Sequence, residues 1–224
     1  LAQAWAENYH KAHPDVSIQV LGGGTGVGIA SLTDGNCDMA NASREMKPKE
    51  IARIKQKHGK EAREHVVGYD ALAVYVHKDH PLDSLSLEEL AEIFGEGGKT
   101  TRWSQLVPWK AGGSDEIVRV SRQNNSGTYV SFQEHVLGPS REFKLGSIDQ
   151  SGSKDVVALV SRTPAAIGYS GMGYATDEVK MLKIADKKGE PGIEPSVENV
   201  RNKSYPLTRP LYVYTVEEPT GEAK

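Results

Sequence analysis

A single cysteine, Cys37, stands in a chain of 224 residues, so no internal disulfide can form and the redox compartment stays open. It reads as a small buried hydrophobe. No apolar run approaches the ~20 residues of a membrane-spanning helix. Neither sign of charge dominates: 27 Lys and Arg face 30 Asp and Glu, the formal net charge is −3, and both signs are scattered. That distribution offers no basic field for nucleic acid. The chain is read without a signal peptide, because Leu1-Ala2-Gln3-Ala4-Trp5 already follows a helical pattern. With 38% hydrophobic and 25% charged residues, the composition is that of a soluble globular protein. The length suits one large domain or two small lobes.

The order of elements predicts an α/β sheet. Leu1, Ala4, Trp5, Tyr9 and Ala12 share one helical face, and His13-Pro14-Asp15 stops that helix. Val16 to Leu21 alternates like a strand and runs into Gly22-Gly23-Gly24-Thr25-Gly26-Val27-Gly28. A helix from Ile29 to Thr33, a buried strand from Cys37 to Ala42 and a charged helix from Pro48 to Ala62 follow. Ala71 to Val76 is apolar enough for a strand buried on both faces. Ser86 with Glu89 has capping-box spacing. Farther on, strands are expected at Ile117–Val120, Ala166–Tyr169 and Pro210–Thr215, and helices at Tyr129–Val136 and Asp155–Val160. Lys187 to Lys203 reads as surface loops.

Two segments share one design: a strand, a loop rich in glycine and hydroxyl residues, then a helix. They are Gly22–Gly28, with Thr25, and Arg122–Thr128. A helix start exposes unpaired N–H groups and a positive dipole end, and Ser or Thr hydroxyls add donors. Arg122 adds a planar, permanently charged fork suited to tetrahedral oxyanions. Taken alone, either loop is a turn with a capped helix; together, beside an arginine, they tilt the reading toward anion binding.

Other phosphate and catalytic motifs fail on spacing. The dinucleotide fingerprint would need glycine at Val27 or Ile29, and the Walker lysine is absent after Gly28. Gly168-Tyr169-Ser170-Gly171-Met172 is not a nucleophile elbow. His77 and His80 have no third ligand nearby and read as surface residues flanking Pro81. His58 and His65 are expected to face solvent, and Asp38 to be hydrogen-bonded within a strand. These spacings support no metal site, no catalytic residue and no cofactor.

Gly22–Ala30, Asp38-Met39-Ala40-Asn41-Ala42-Ser43-Arg44, Arg122-Gln123-Asn124-Asn125-Ser126-Gly127-Thr128 and Ala166–Tyr174 together resemble the phosphate-binding component of bacterial phosphate ABC importers. The resemblance implies a periplasmic-binding-protein fold: two α/β lobes, two crossing strands as hinge, and an oxyanion clamped in the interlobe cleft. Ala71–Val76 and Pro210–Thr215 are then the crossing strands. Lobe I is 1–75 with 205–224, and lobe II is 76–204. Carried over by motif position, phosphate would meet Thr25, Ser43, Arg122, Ser126, Gly127 and Thr128.

The chain departs from that family in lacking its usual first strand and loop and its C-terminal helical segment. A missing terminal segment or a second chain is therefore an expected partner. Ser43, followed by Arg44, stands where some members carry an aspartate, and Asn124 where some place an acidic partner for the arginine. The function implied is an extracytoplasmic receptor, periplasmic or at the cell surface, that delivers inorganic phosphate to an ABC permease. The alternatives are a receptor for sulfate, molybdate or tungstate, a phosphoester-processing enzyme on a similar scaffold, and an interaction protein that has lost the site.

Overall fold

The computed structural model describes residues 2–109 and 113–218; Leu1 and the Glu222–Lys224 end lie outside them. Helix α1 (Ala2–Ala12) forms where the first periodic segment predicts it, but none of its residues is buried. The expected strand Val16–Leu21 does not form: Val16 N–H turns back to His13 O at 3.1 Å, and Leu21 is 81% exposed. An alternating pattern becomes a strand only where a neighbouring backbone takes its N–H and C=O groups. Helix α2 (Thr25–Asp34) starts after Gly23 and Gly24, both at positive φ, and a Cβ on Gly23 would lie 2.9 Å from Val27 Cγ1. Strand β1 (Ala40–Ala42) keeps only the end of the expected Cys37–Ala42 strand.

Helix α3 (Pro48–His58) is shorter than expected. Gly59 takes the left-handed conformation at φ 68° and closes it, its N–H bonding Lys55 O at 2.9 Å. The chain then enters the long strand β2 (Ala62–His77), only the second half of which reads as a strand in the sequence. Strand β3 (Ser84–Ser86) leads into α4 (Leu87–Phe94), and its capping box is present. Strand β4 (Val118–Arg122), helix α5 (Gly127–Phe132) with a following π-helical turn, and strand β5 (Ile148–Gln150) come next. Helix α6 (Ser153–Val160) and strands β6 (Ala166–Gly171), β7 (Val179–Met181) and β8 (Lys183–Ala185) follow. The expected loop 187–203 contains a short helix, α7 (Val197–Arg201), capped by Ser196. Strand β9 (Thr208–Val216) closes the described chain.

The chain divides into two compact units, residues 1–68 with 211–224, and residues 69–210. The boundaries drawn from sequence assign 69–75 and 205–210 to the other lobe. Both β2 and β9 contain a unit boundary.

In the first unit β1 pairs antiparallel with β9, Ala40 opposite Tyr214. Ile29, Leu32, Ala40, Ala42, Met46, Ile54, Tyr212 and Tyr214 form its core. Tyr214 ties the unit together: its hydroxyl accepts from Met46 N–H at 2.9 Å and donates to Glu64 Oε2 at 2.6 Å.

The second unit holds a mixed sheet in which β5, β4 and β6 run parallel and β2 joins β6 antiparallel. Ala71 to Val76 of β2 are fully buried at its centre, as an apolar run in a two-sided sheet must be. Helix α6 packs so closely on the sheet that a Cβ on Gly168 would lie 2.9 Å from Val156 Cγ1. On the other face Phe132 stacks on Tyr169, ring centroids 3.8 Å apart, within a cluster that includes Phe94 and Trp103.

The histidines depart from expectation. His80 is buried, 2% exposed, beside Trp103 and Trp109. Its Nδ1 accepts from Leu82 N–H at 3.2 Å, a local turn that pulls the ring inward. His58 and His65 are half-buried, His58 Nε2 bonding Thr33 O and His65 Nε2 bonding Thr215 Oγ1.

Candidate anion site

In the second unit the site grows from the end of β4. The parallel register sets Arg122 opposite Gln150 at the end of β5, and the loop leading to α6 wraps the arginine. Its Nε donates to Gln150 O at 3.3 Å, Nη1 to Ser153 Oγ at 3.0 Å and Nη2 to Ser151 O at 2.9 Å. Those bonds use three of the five N–H groups and leave one on each terminal nitrogen. The residue is 7% exposed, and its acceptors are two carbonyls and a hydroxyl rather than a carboxylate. Burial lowers the guanidinium pKa, opposed by Tyr169, Tyr174 and Asp155; the group stays charged.

After Arg122 the chain turns through exposed Gln123, Asn124 and Asn125, and Ser126 N–H bonds back to Gln123 O at 2.9 Å. Ser126 caps α5: its hydroxyl accepts from Thr128 N–H at 3.1 Å. The first helical bond is Val130 N–H to Ser126 O at 3.2 Å, so the N–H groups of Gly127 and Tyr129 precede any helical partner. Ser126, Gly127 and Thr128 are all buried.

Sequence reasoning missed two further residues here. Arg209 of β9 is 5% exposed, and its Nη2 lies 3.2 Å from both Asp70 Oδ2 and Thr128 Oγ1. Its Nε and Nη1 are buried with no hydrogen-bond partner among the described residues. Burial lowers its pKa; Asp70 opposes that, and the charge of Arg122 adds to it, so the two guanidinia feel one another. A Cβ on Gly171 would lie 3.4 Å from both Asp70 Oδ2 and the Tyr174 ring, so this backbone crosses the same cluster. The available signal was positional: Asp70 and Arg209 each directly precede an apolar strand run.

In the first unit Thr25 opens α2, and its Oγ1 accepts from Ser43 N–H at 3.0 Å, joining two of the expected site residues. Thr25 is buried and Ser43 half-buried. The neighbouring Arg44 is paired fork to fork with Glu50, at 2.9 and 2.8 Å, and also donates to Glu45 O at 2.7 Å. Burial pushes the Glu50 carboxyl up, but Arg44 and Lys47 outweigh it and hold the pKa below its ordinary value. No group of three His, Cys, Asp or Glu side chains able to hold a metal occurs among the described residues.

A family profile for the PBP superfamily domain matches residues 1–224. The phosphate-binding protein PstS of Pseudomonas aeruginosa is 35% identical over 225 residues, covering 98% of this chain and 69% of that protein. The chain belongs to the PstS phosphate-binding protein family. Another relative, protein SphX of Synechococcus elongatus, is 33% identical over 231 residues, 100% of this chain and 66% of its own length.

Among solved structures, a substrate-binding protein of Clostridium perfringens assigned to phosphate ABC transport, with bound phosphate, superposes with a TM-score of 0.83. It is 33% identical, and the match covers 99% of this chain and 83% of that one. An ABC-type phosphate transport receptor from Vibrio cholerae gives a TM-score of 0.73 at 23% identity over 99% of this chain and 84% of that one, a likeness of fold. The mixed α/β architecture is therefore that of the family's periplasmic-binding-protein fold.

Proposed function

We propose that this chain is a receptor, not an enzyme, that binds inorganic phosphate outside the cytoplasmic membrane and hands it to an ABC permease. Arg122, Ser126, Gly127 and Thr128 are its anion donors in the second unit, and Thr25 and Ser43 are the candidate donors that the first unit carries. One observation carries the reading: a buried arginine is fixed by neutral acceptors, keeps two N–H groups unused and stands at the start of a hydroxyl-rich loop. A buried cation without a carboxylate on it is costly unless an anion completes the site. Family relatives named as phosphate-binding proteins, and the related C. perfringens structure with phosphate bound, support the same ligand.

Thermal unfolding of rigorously phosphate-free protein tests this. Phosphate at ~100 times its dissociation constant stabilises the folded state by about 2.7 kcal/mol, which raises the melting temperature. Equal or larger shifts with sulfate, molybdate or tungstate would reassign the ligand, and no shift with any oxyanion would refute the reading.

A further inference from the structure

The second unit buries two guanidinia whose charges act on each other, yet among the described residues only one carboxylate, that of Asp70, touches either of them. Burying like charges together is unfavourable unless a counter-charge reaches both. We infer that Arg209 is a second charged anchor of the anion site, directing Nη1 at an oxyanion while Asp70 and Thr128 hold its Nη2. This assignment rests on the oxyanion-receptor reading above.

The simpler role for Arg209 is to neutralise Asp70, and the geometry argues against it. Single-nitrogen pairs occur where the arginine is more exposed, as at Arg141 with Glu92. Among the described residues the other arginine buried as deeply beside a carboxylate, Arg44, meets both oxygens of Glu50 with both terminal nitrogens at 2.9 and 2.8 Å. Arg209 instead offers Asp70 a single nitrogen at 3.2 Å. The burial is also lopsided, since the side chain of Arg209 is 6% exposed and that of Asp70 is 25% exposed. A carboxylate that water already reaches does not require a guanidinium that deep.

Three N–H groups remain on Nε and Nη1, one more than Arg122 retains, and Nη1 alone carries two of them for an anion oxygen. Thr128 strengthens the placement. Its hydroxyl oxygen accepts from Arg209 Nη2 at 3.2 Å, so its own proton is free to donate to the same anion. Arg209 is thereby joined to a residue of the proposed phosphate loop.

Calorimetric titration of phosphate into Arg209→Gln, Arg209→Lys and the double variant Asp70→Asn/Arg209→Gln tests the assignment, with unliganded melting temperatures measured alongside. Arg209→Gln should weaken phosphate at least ~10-fold, because a hydrogen bond to a charged group contributes about 1.5–3 kcal/mol and ~1.4 kcal/mol is a decade of affinity. Arg209→Lys should recover only part, keeping the charge but not the fork. The double variant removes both charges and leaves no carboxylate unpaired, so it keeps the question open to measurement even if Arg209→Gln fails to fold. It too should bind at least ~10-fold more weakly. A double variant that folds and binds phosphate like the parent overturns the assignment while the receptor reading stands. A parent chain that takes no oxyanion overturns both.

Discussion

Ser153 Oγ lies 3.0 Å from Arg122 Nη1, so the first residue of α6 orients the arginine at the end of β4. Two neighbouring carbonyls complete the grip, from Gln150 and Ser151. The arginine therefore presents its remaining donors in one fixed direction. Ser153→Ala removes a single neutral acceptor and should cost about 0.5–1.5 kcal/mol, read as a several-fold weaker phosphate affinity. An affinity equal to the parent's, with the fold intact, would show that this bond does not position Arg122.

Arg122 itself should matter more. Arg122→Ala is expected to weaken phosphate at least ~10-fold, ahead of Thr25→Ala and Ser43→Ala, because charge-assisted bonds are about twice as strong as neutral ones. Arg122→Lys cannot reach three separated acceptors and should recover only part. Calorimetric titration of the four variants decides the order; the reverse ranking would contradict the placement of charge.

Ser126→Ala removes the cap of α5 and should cost about 1 kcal/mol of stability. Chemical denaturation of the unliganded protein measures that loss. An unchanged denaturation midpoint would mean that Thr128 N–H does not depend on the Ser126 hydroxyl.

The neighbourhood of His80 makes stability sensitive to acid. Burial pushes its pKa from 6.5 down to about 4, and the charges of Lys180 and His77 add to the effect. The unfolded imidazole takes up a proton from pH 6.5 downward, whereas the folded one resists until about 4, so stability is lost as pH falls through that window. The loss is of the order of 3 kcal/mol, since one pH unit corresponds to ~1.36 kcal/mol. His80→Phe should lack this component. Denaturation of parent and variant at pH 7, 5.5 and 4 compares them, and parallel curves would refute the buried neutral imidazole.

Gly168→Ala should destabilise the second unit by about 1–3 kcal/mol. Its Cβ would press on Val156 Cγ1 at 2.9 Å and Val160 Cγ2 at 3.0 Å, where α6 closes on the sheet. A variant with unchanged stability would show that α6 can retreat freely.

Legibility followed burial. Ala71–Val76 could be read as a strand because a run buried on both faces must be apolar, whereas the first half of the same strand carries Arg63, Glu64 and His65 and leaves no such mark. Val16–Leu21 has strand chemistry but no strand partner among the described residues, which periodicity cannot reveal. Thr25 and the Arg122–Thr128 loop were legible as candidates because donors adjacent in sequence announce themselves, and Ser43 was a candidate through the family resemblance alone. Asp70 and Arg209 were not, since their 3.2 Å contact joins residues 139 positions apart through β2 and β9.

The most direct measurement is calorimetric titration of inorganic phosphate into the phosphate-free chain at neutral pH, with sulfate as the comparison. Saturable binding of one phosphate per chain, with sulfate much weaker, is the expected result. Absence of binding at millimolar phosphate, by a chain that unfolds cooperatively, would contradict a phosphate receptor.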